Sequence, residues 1–583
     1  MSLNKKYGAS AAARRGLAGR ASRTLLSCVS VAAMVAMAGT AAKAEDQVTV
    51  KEIRDLKAHL KMLEKRLDAQ AKEQKKVLRR EAAYTQGPGP NGPYSPPMPW
   101  DKKFHLNGIT ITPGGFFAME GVWRARAQGA DIGDLPFGGI PALNSPLAHM
   151  NELRFSARQS RVSALVQGNV NPDILVSGYG ELDFLGAGNT ANSNESNSYN
   201  LRIRHMYATV DWMSEGWHVL AGQNWSLATL QGQGITPRNE IIPLTIDAQY
   251  VAGFTWARQP GLRVVKNFGD DLWFGASAEM SQTPGITGCP GAPGFAPGAG
   301  GTVGFAPFPG GVAACDQISG GGGLLNQLTT YSFDHVPDII GKAVWEPTFA
   351  GRRVHLEAMG MYTDLYDRAY FPLGGAALVP GTPATNHDTA GWGAGGGFII
   401  PVMPKFVDLT GSALVGRGIE RYGSGQLASA TLSPNGSLNP LPEAMFLAGA
   451  TVHATPQLDL YINGGGEKIL SPQYFGAYAG YGNPAAINNT GCSFEFGVCS
   501  GLTKDVWEIT GGFWDKVYDG VFGSLRVGMQ YAYIKRDFMP GTAGLPVGAG
   551  AIGGSTNENA AYFSVRYYPF DAPPPAPALV AKY

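Results

Sequence analysis

The sequence predicts a transmembrane β-barrel, an all-β fold of about 16 antiparallel strands, preceded by an α-helical coiled coil. Three observations carry this expectation. From about residue 115 to Phe570, strand-like segments are joined alternately by tight turns and by long Gly/Pro/Asn-rich loops. Within the segments, apolar and charged residues alternate with period two. An export signal precedes them, and beyond it no apolar run reaches the roughly 20 residues that a membrane-crossing helix needs.

Residues 1–44 read as a signal peptide. Lys5, Lys6, Arg14, Arg15, Arg20 and Arg23 precede the apolar run Leu25 to Ala38, and Ala42-Lys43-Ala44 follows, with cleavage expected after Ala44. Cys28 would suggest a lipid-modification site, but the apolar run lies mostly behind the cysteine rather than before it. The signal carries seven basic and no acidic residues, so the formal charge of +1 for the whole chain becomes −6 after cleavage. That balance excludes a basic nucleic-acid binder.

Residues 45–86 form the expected periplasmic coiled-coil helix. Ile53, Leu56, Leu60, Leu63, Leu67, Gln70, Gln74 and Val77 recur at alternating spacings of three and four, with charged residues at most positions between. So narrow an apolar stripe has no core of its own, and self-association buries it; a single solvated amphipathic helix is the alternative. Residues 87–102, with Gly87-Pro88-Gly89-Pro90 and Ser95-Pro96-Pro97-Met98-Pro99-Trp100, cannot be helix or sheet and are expected to form an extended linker.

The barrel is expected over 103–570. Sixteen segments begin near 115, 151, 173, 200, 217, 261, 272, 336, 352, 389, 405, 443, 458, 504, 521 and 559, and 104–112 and 250–257 also have strand character. Short turns are expected at Asn169 to Pro172, Ser214 to Gly216, Gly269 to Asp271, Pro401 to Pro404, Pro456 to Gln457 and Tyr518 to Gly520. Long loops are expected at 128–150, 225–260, 282–335, 364–388, 416–442, 467–503 and 537–558. The last segment ends in Tyr567-Tyr568-Pro569-Phe570, similar to the aromatic-ending strand that outer-membrane proteins present to their insertion machinery; Pro569 breaks its alternation. A Pro-rich tail, 571–583, follows.

A lipid-facing side must be apolar, so the charged face of each segment is assigned to the lumen. Phe117, Met119, Gly121 and Trp123 oppose Glu120, Val122, Arg124 and Arg126; Val176, Gly178, Gly180, Leu182 and Phe184 oppose Tyr179, Glu181 and Asp183. Met206, Ala208, Val210 and Trp212 oppose His205, Tyr207, Thr209 and Asp211, and Leu525, Val527, Met529, Tyr531 and Tyr533 oppose Arg526 and Gln530. Arg154, Arg158 and Arg161 on the second segment, with Arg124 and Arg126 beside them, are expected to form an arginine ladder along one wall. Guanidinium groups stay ionised and bind carboxylate or phosphate bidentately, so such a ladder attracts anions. Glu120, Glu181, Asp183 and Asp211 are expected across the lumen from it. A solvated rim cluster is the alternative, and the alternation slips at Gln159 and Ser160. With its tail, the barrel carries 27 basic and 36 acidic residues, so any anion preference must come from local arrangement.

A barrel of about 16 strands leaves an aqueous channel unless something fills it. The loop from Trp225 to Gln259, with Gln231, Gln233, Arg238, Asn239, Glu240 and Asp247, is the expected constriction; an ordinary exposed loop is the alternative. Cys289 and Cys315 share one long loop, and Cys492 and Cys499 another, so two disulfides, Cys289–Cys315 and Cys492–Cys499, are expected in the oxidising compartment. The spacing fits no zinc site, no other metal site is expected and no cofactor is implied. His218, His335, His355 and His453 fall singly on separate segments, no nucleophile elbow occurs, and Gly393 to Gly397 and Gly320 to Gly323 lack the Lys-Ser/Thr ending of a phosphate loop. An enzyme is not expected.

Signal, coiled-coil helix, Pro-rich spacer and barrel, in that order, resemble the DcaP-like trimeric porins of Gram-negative bacteria. Gly222-Gln223-Asn224-Trp225-Ser226 and Ala257-Arg258-Gln259-Pro260-Gly261-Leu262-Arg263 resemble the segments bracketing that family's constriction loop; the two cysteine pairs are not part of the family pattern. The resemblance implies a homotrimer whose periplasmic helices bundle, in contact with outer-membrane lipid and lipopolysaccharide, and passive uptake of small hydrophilic, often anionic, solutes of carboxylate or phosphate type. The rival expectation is a structural outer-membrane protein that the coiled coil tethers to peptidoglycan. A second rival is an outer-membrane enzyme with active residues on the barrel wall.

Overall fold

The computed structural model describes residues 102–132, 137–186, 200–283, 319–320, 331–332, 334–370, 383–403, 405–433, 437–475, 479–520 and 522–571. All lie in one compact unit, Trp100–Tyr583. The expected signal peptide, coiled-coil helix, the linker up to Asp101 and the tail beyond Asp571 lie outside the described residues, as do Cys289 and Cys315.

Sixteen antiparallel strands close into one barrel: β1 Ile109–Arg124, β2 Glu152–Ser156 continued by Arg161–Asn169, β3 Ile174–Gly186, β4 Asn200–Trp212, β5 Trp217–Trp225, β6 Arg258–Phe268, β7 Leu272–Glu279 and β8 Asp338–Trp345, then β9 His355–Tyr370, β10 Ala384–Met403, β11 Val407–Arg417, β12 Pro442–His453, β13 Leu458–Ile469, β14 Thr503–Gly520, β15 Gly523–Phe538 and β16 Ser555–Tyr568. Each sequence segment corresponds to one strand. Closure is made by β1 against β16, with Phe117 opposite Tyr567 and Arg124 opposite Ala560. A closed sheet leaves no unpaired edge, which is the condition for strands to sit in lipid. The outward residues of β1 (Phe117, Met119, Trp123) are exposed while Glu120, Val122 and Arg124 are wholly buried. Leu153, Phe155, Ile203, Met206, Leu262, Phe274, Trp392, Phe446, Ile462, Ile509 and Met529 continue the exposed apolar band, a surface a water-soluble protein would not carry.

Three local departures shift what faces the lumen. The second strand is broken at Ala157–Ser160, where Ser160 Oγ accepts the Ala118 N–H at 2.9 Å and restores the ladder. The break turns Arg158 and Gln159 inward together. In β4 the pairing with β3 skips Arg204, since His205 lies opposite Glu181 and Ile203 opposite Leu182; this bulge sends Arg204 and His205 to the same side. In β14 a second register shift, between Lys516 and Tyr518, keeps Tyr518–Gly520 in the strand, where a turn was expected, with Gly520 paired to Gly523.

The loops and the short segments beside them depart from the simple strand-and-turn pattern in five places. Strands β9 and β10 stay paired to Tyr370 and Ala384, which shortens the loop expected at 364–388 to 371–383. A further long connection separates Gly186 from Asn200, and the connection from Trp345 to His355 contains a small hairpin of Thr348–Phe349 on Arg352–Arg353. Phe104–Leu106 folds back on Ile109–Ile111 as a hairpin at the start of β1. Residues 250–257 are not a strand: they belong to the third long loop, 226–257, and make a single bridge, Thr255 to Gly423.

Candidate functional site

The third long loop enters the barrel. Within it, Gly232 N–H donates to Asn239 O (2.5 Å) and Ile241 N–H to Leu230 O (2.8 Å), forming a short hairpin. Leu227, Ile235, Ile246, Val251, Ala252 and Phe254 are buried, whereas Gln233, Arg238 and Asn239 at the tip stay exposed. Gly253 has a φ of +88°, and a Cβ there would collide with the Phe446 carbonyl. Glycine thus lets the loop press onto β12.

The loop is tied to the wall by carboxylates. Glu279 accepts the N–H of Leu227 (2.8 Å), Glu357 that of Gln231 (3.2 Å) and Glu346 that of Gly234 (2.8 Å). On the far wall Glu508 accepts the N–H of Ala252 (3.1 Å) and Glu467 that of Gly253 (2.7 Å). Gln530 takes those of Ile246 and Asp247 at 2.5 and 3.1 Å. Gln159 donates to Ile246 O (2.6 Å), Lys342 to Thr229 O (2.8 Å) and Trp514 Nε1 to Leu244 O (2.7 Å). These buried bonds account for backbone groups that a loop inside a barrel would otherwise leave unpaired. None of the five glutamates is among the site residues expected from the sequence; their signal is a charged residue on a lumen-facing position or at a strand's end.

Of the constriction residues, Gln231 is fully buried beside Glu357, Arg238 Nη1 donates to Tyr207 Oη (3.0 Å), and Glu240 lies 3.5 Å from Asn224 Nδ2. Asp247 accepts from Tyr562 Oη at 3.1 Å and from Gln249 N–H at 2.8 Å. Burial pushes the Asp247 carboxyl up to about 6.

The expected arginine ladder is dispersed. Arg124 bonds Glu152 (2.7 Å) and the carbonyls of Ala130 and Asp131; Arg126 bonds Asn557 and Ala148; Arg158 bonds Asp131 (2.9 Å) and the carbonyls of Phe184 and Leu185. All three fasten the long-loop rim, because β1 and the break in β2 end at the first loop. Arg154 is half exposed, 3.7 Å from Glu152. Of the five, Arg161 reaches the mid-wall, 3.8 Å from Glu181 and over the Phe116 ring at 5.2 Å.

The guanidinium cluster that the structure does assemble centres on Arg204, brought inward by the bulge. Arg204 bonds Glu181 at 2.6 Å, Asp183 at 2.9 Å and Tyr250 Oη at 3.3 Å, and Arg202 pairs bidentately with Asp183 at 2.8 and 2.9 Å. Glu181 and Asp183 therefore stand on the same wall as the arginines, not across from them, because β3 and β4 are hairpin partners. Arg258 lies over the Trp225 ring at 4.6 Å, and Arg263 donates to Trp225 O at 2.6 Å. His205 sits between Tyr179 and Trp225, with ring centroids at 5.9 and 6.0 Å, and Tyr207 packs on Tyr179 at 5.6 Å.

The remaining expected acids are likewise elsewhere. Glu120 pairs across the barrel seam with Arg566 (2.6 Å) and Ser564, and Asp211 pairs with His218 (2.8 Å) near the short-turn rim. Arg526 clamps Asp571 at 2.6 Å at that same rim instead of lining the lumen. What faces the arginine wall, eight strands around the barrel, is Glu443, Glu467 and Glu508 on β12–β14, together with Glu420 from the sixth long loop; all four are buried. Burial beside Glu467 and Glu443 pushes the Glu420 carboxyl well above the usual carboxylate range. The histidines are not isolated either: His355 lies 2.7 Å from Glu346 and 3.3 Å from Glu357, and His453 lies 2.7 Å from Asp459. Cys492 and Cys499 form a disulfide with Cα atoms 4.6 Å apart. Beside it, Phe496 N–H reaches Asn144 O of the first loop at 2.8 Å.

A closed barrel of sixteen strands with an apolar exterior, a charged interior and an inward-folded third loop defines a class of membrane β-barrel. Among solved structures the chain is similar to the outer-membrane channel DcaP of Acinetobacter baumannii, at 18% identity over 80% of this chain and 99% of that one, with a TM-score of 0.51. That likeness establishes a shared fold, the one the sequence resemblance implied. Looser similarities, which carry no further weight, are to the anion-selective porin from Comamonas acidovorans (9% identity, 79% and 99% covered, TM-score 0.38) and to OprB of Pseudomonas putida (10%, 78% and 94%, 0.40). No protein-family model and no curated protein matches the chain.

Proposed function

We propose that this protein is an outer-membrane porin, a passive channel for small hydrophilic solutes whose bore is set by the third long loop. The observation that carries the reading is that loop's path, from β5 through the lumen to backbone–carboxylate bonds on β13 and β14. A barrel serving only as an anchor has no need of a segment held across its interior by buried charged acceptors.

Solute choice follows from the two walls. Arg161 is partly exposed and the loop-tip Arg238 exposed near the constriction, and Tyr179 and Tyr207 provide flat polar surfaces beside them. A small carboxylate or phosphate could be handed between them while the opposite glutamates, engaged by the loop backbone, repel it less than free carboxylates would. In this reading the short turns face the periplasm, the coiled coil expected from residues 45–86 is periplasmic and associates three chains, and the Cys492–Cys499 loop lies outside the cell.

Purified protein in a planar bilayer tests this. Steady conductance, with an anion-signed reversal potential under a salt gradient, is the expected result. A correctly folded barrel that conducts nothing would replace the channel with the rival, a structural protein tethered to the cell wall.

A further inference from the structure

We propose that His335, Asp364 and Asp388 form a divalent-metal site, of zinc type, on the outer face of the barrel at its long-loop end. Asp364 and Asp388 lie on the β9–β10 hairpin, with Asp388 opposite Tyr366 and Asp364 two residues along on the same outward face. His335, from the end of the fourth long loop, folds over them. One ligand atom from each residue lies within 4.8 Å of the others.

Asp364 gives the cluster its need for a cation. Its side chain is fully buried, and neither carboxylate oxygen accepts a hydrogen bond. A buried carboxylate with no donor is costly. His335 faces it, with Nδ1 3.3 Å from Asp364 Oδ2 while Nε2 is 3.4 Å from Asp388 Oδ2. A neutral imidazole carries one N–H and cannot serve both carboxylates. A divalent ion held by one ring nitrogen and the two carboxylates supplies the missing positive charge, and the ring's other N–H stays free to donate.

The ligand set is one imidazole and two carboxylates, with room for water as a fourth ligand. Imidazole with carboxylate suits Zn²⁺ better than Mg²⁺. Tetrahedral ligands at about 2.0–2.2 Å from a metal lie roughly 3.3–3.6 Å apart, and Asp388, which is exposed, can rotate to close the set. Outer support is present: the Tyr366 ring packs on His335 at 4.4 Å, Tyr366 Oη accepts from Asn386 Nδ2 at 2.7 Å, and Asn386 Oδ1 accepts from Arg368 at 2.6 Å. The bound ion would pin the end of the fourth loop to the wall, just beyond the outward pair Tyr362 and Trp392. Nothing in this inference depends on the channel reading.

The test uses the whole protein in detergent, stripped with chelator, loaded with Zn²⁺ and dialysed against metal-free buffer. About one Zn²⁺ per chain is expected, with affinity reduced about tenfold or more in His335→Ala and in Asp364→Asn. Folding of both variants is checked by the heat-dependent shift in gel mobility. X-ray absorption on the zinc-loaded wild type needs no variant and should show nitrogen and oxygen donors including one imidazole. Absence of retained zinc, a shell without imidazole, or equal binding by well-folded variants would overturn the proposal.

Discussion

The two long walls of the lumen neutralise buried charge in different ways. On β2–β4, Arg161, Arg202 and Arg204 are matched by Glu181 and Asp183 on the neighbouring strand, so the wall is nearly self-contained. On β13–β14, Glu467 and Glu508 have no such cations. They are matched by backbone N–H groups of a loop that leaves the barrel at β5, more than 200 residues away in the chain. The first wall would keep its ion pairs if the loop left; on the second, Glu508 would lose the Ala252 N–H and Glu467 the Gly253 N–H, leaving Glu467 the Gly425 N–H of the sixth loop. The loop is therefore held most firmly where the wall depends on it.

The largest loss of stability is expected at Arg204. Replacing it with Ala takes the closest cation from Glu181 and leaves Asp183 to Arg202 alone, and removing one partner of a buried ion pair costs up to about 3–5 kcal/mol. The expected readout is a lower denaturation midpoint in detergent, partly restored in Arg204→Ala with Asp183→Asn. Glu467→Ala attacks the other wall. It removes the acceptor for the Gly253 N–H of the third loop and for the Gly425 N–H of the sixth; the first of these bonds stabilises the docked third loop by about 1.5–3 kcal/mol. Its main readout is conductance, which should rise and become noisy while the midpoint changes less than in Arg204→Ala.

A pH titration sharpens the same contrast. The Asp247 carboxyl, raised to about 6 in the docked loop, binds its proton more tightly there than in a released loop, where it would titrate near 4. Docking is therefore strongest below about pH 4, weakens as pH rises from 4 to 6, and is constant above, a change of order 2–3 kcal/mol at most. Conductance should increase through that window, and Asp247→Asn should flatten the profile. The smallest structural effect is expected at Arg238, an exposed tip residue: Arg238→Ala should alter stability by less than about 0.5 kcal/mol. It should nevertheless move the reversal potential toward zero, and an unchanged potential would remove Arg238 from solute selection.

The strands were legible because lipid enforces period two: wherever Phe117, Met119 and Trp123 face outward, Glu120 and Arg124 must face inward. The arrangement of charges was less legible, for identifiable reasons. A one-residue bulge put Arg204 in the lumen, and the break at Ala157–Ser160 diverted Arg158 to the rim. Glu181 was expected across the lumen although hairpin register alone places it beside His205. The inward path of the third loop was readable from its polar residues, but its partners were not, since no local pattern links Gly253 to Glu467. Asp364 and Asp388 read as loop ends until the β9–β10 ladder brought them to one face.

The seam between β1 and β16 has a consequence for how the molecule is made. Glu120 bonds Ser564 and Arg566, residues over 440 positions later, so the first strand waits for nearly the entire chain before its partner exists. Contacts of such sequence separation form late and slowly, and until then both edges are open to mispairing. The buried pair also fixes register: a slip of one residue at closure would turn Glu120 toward hydrocarbon. The last ladder to form thus carries its own proofreading, rejecting any alignment that leaves that carboxylate without its arginine.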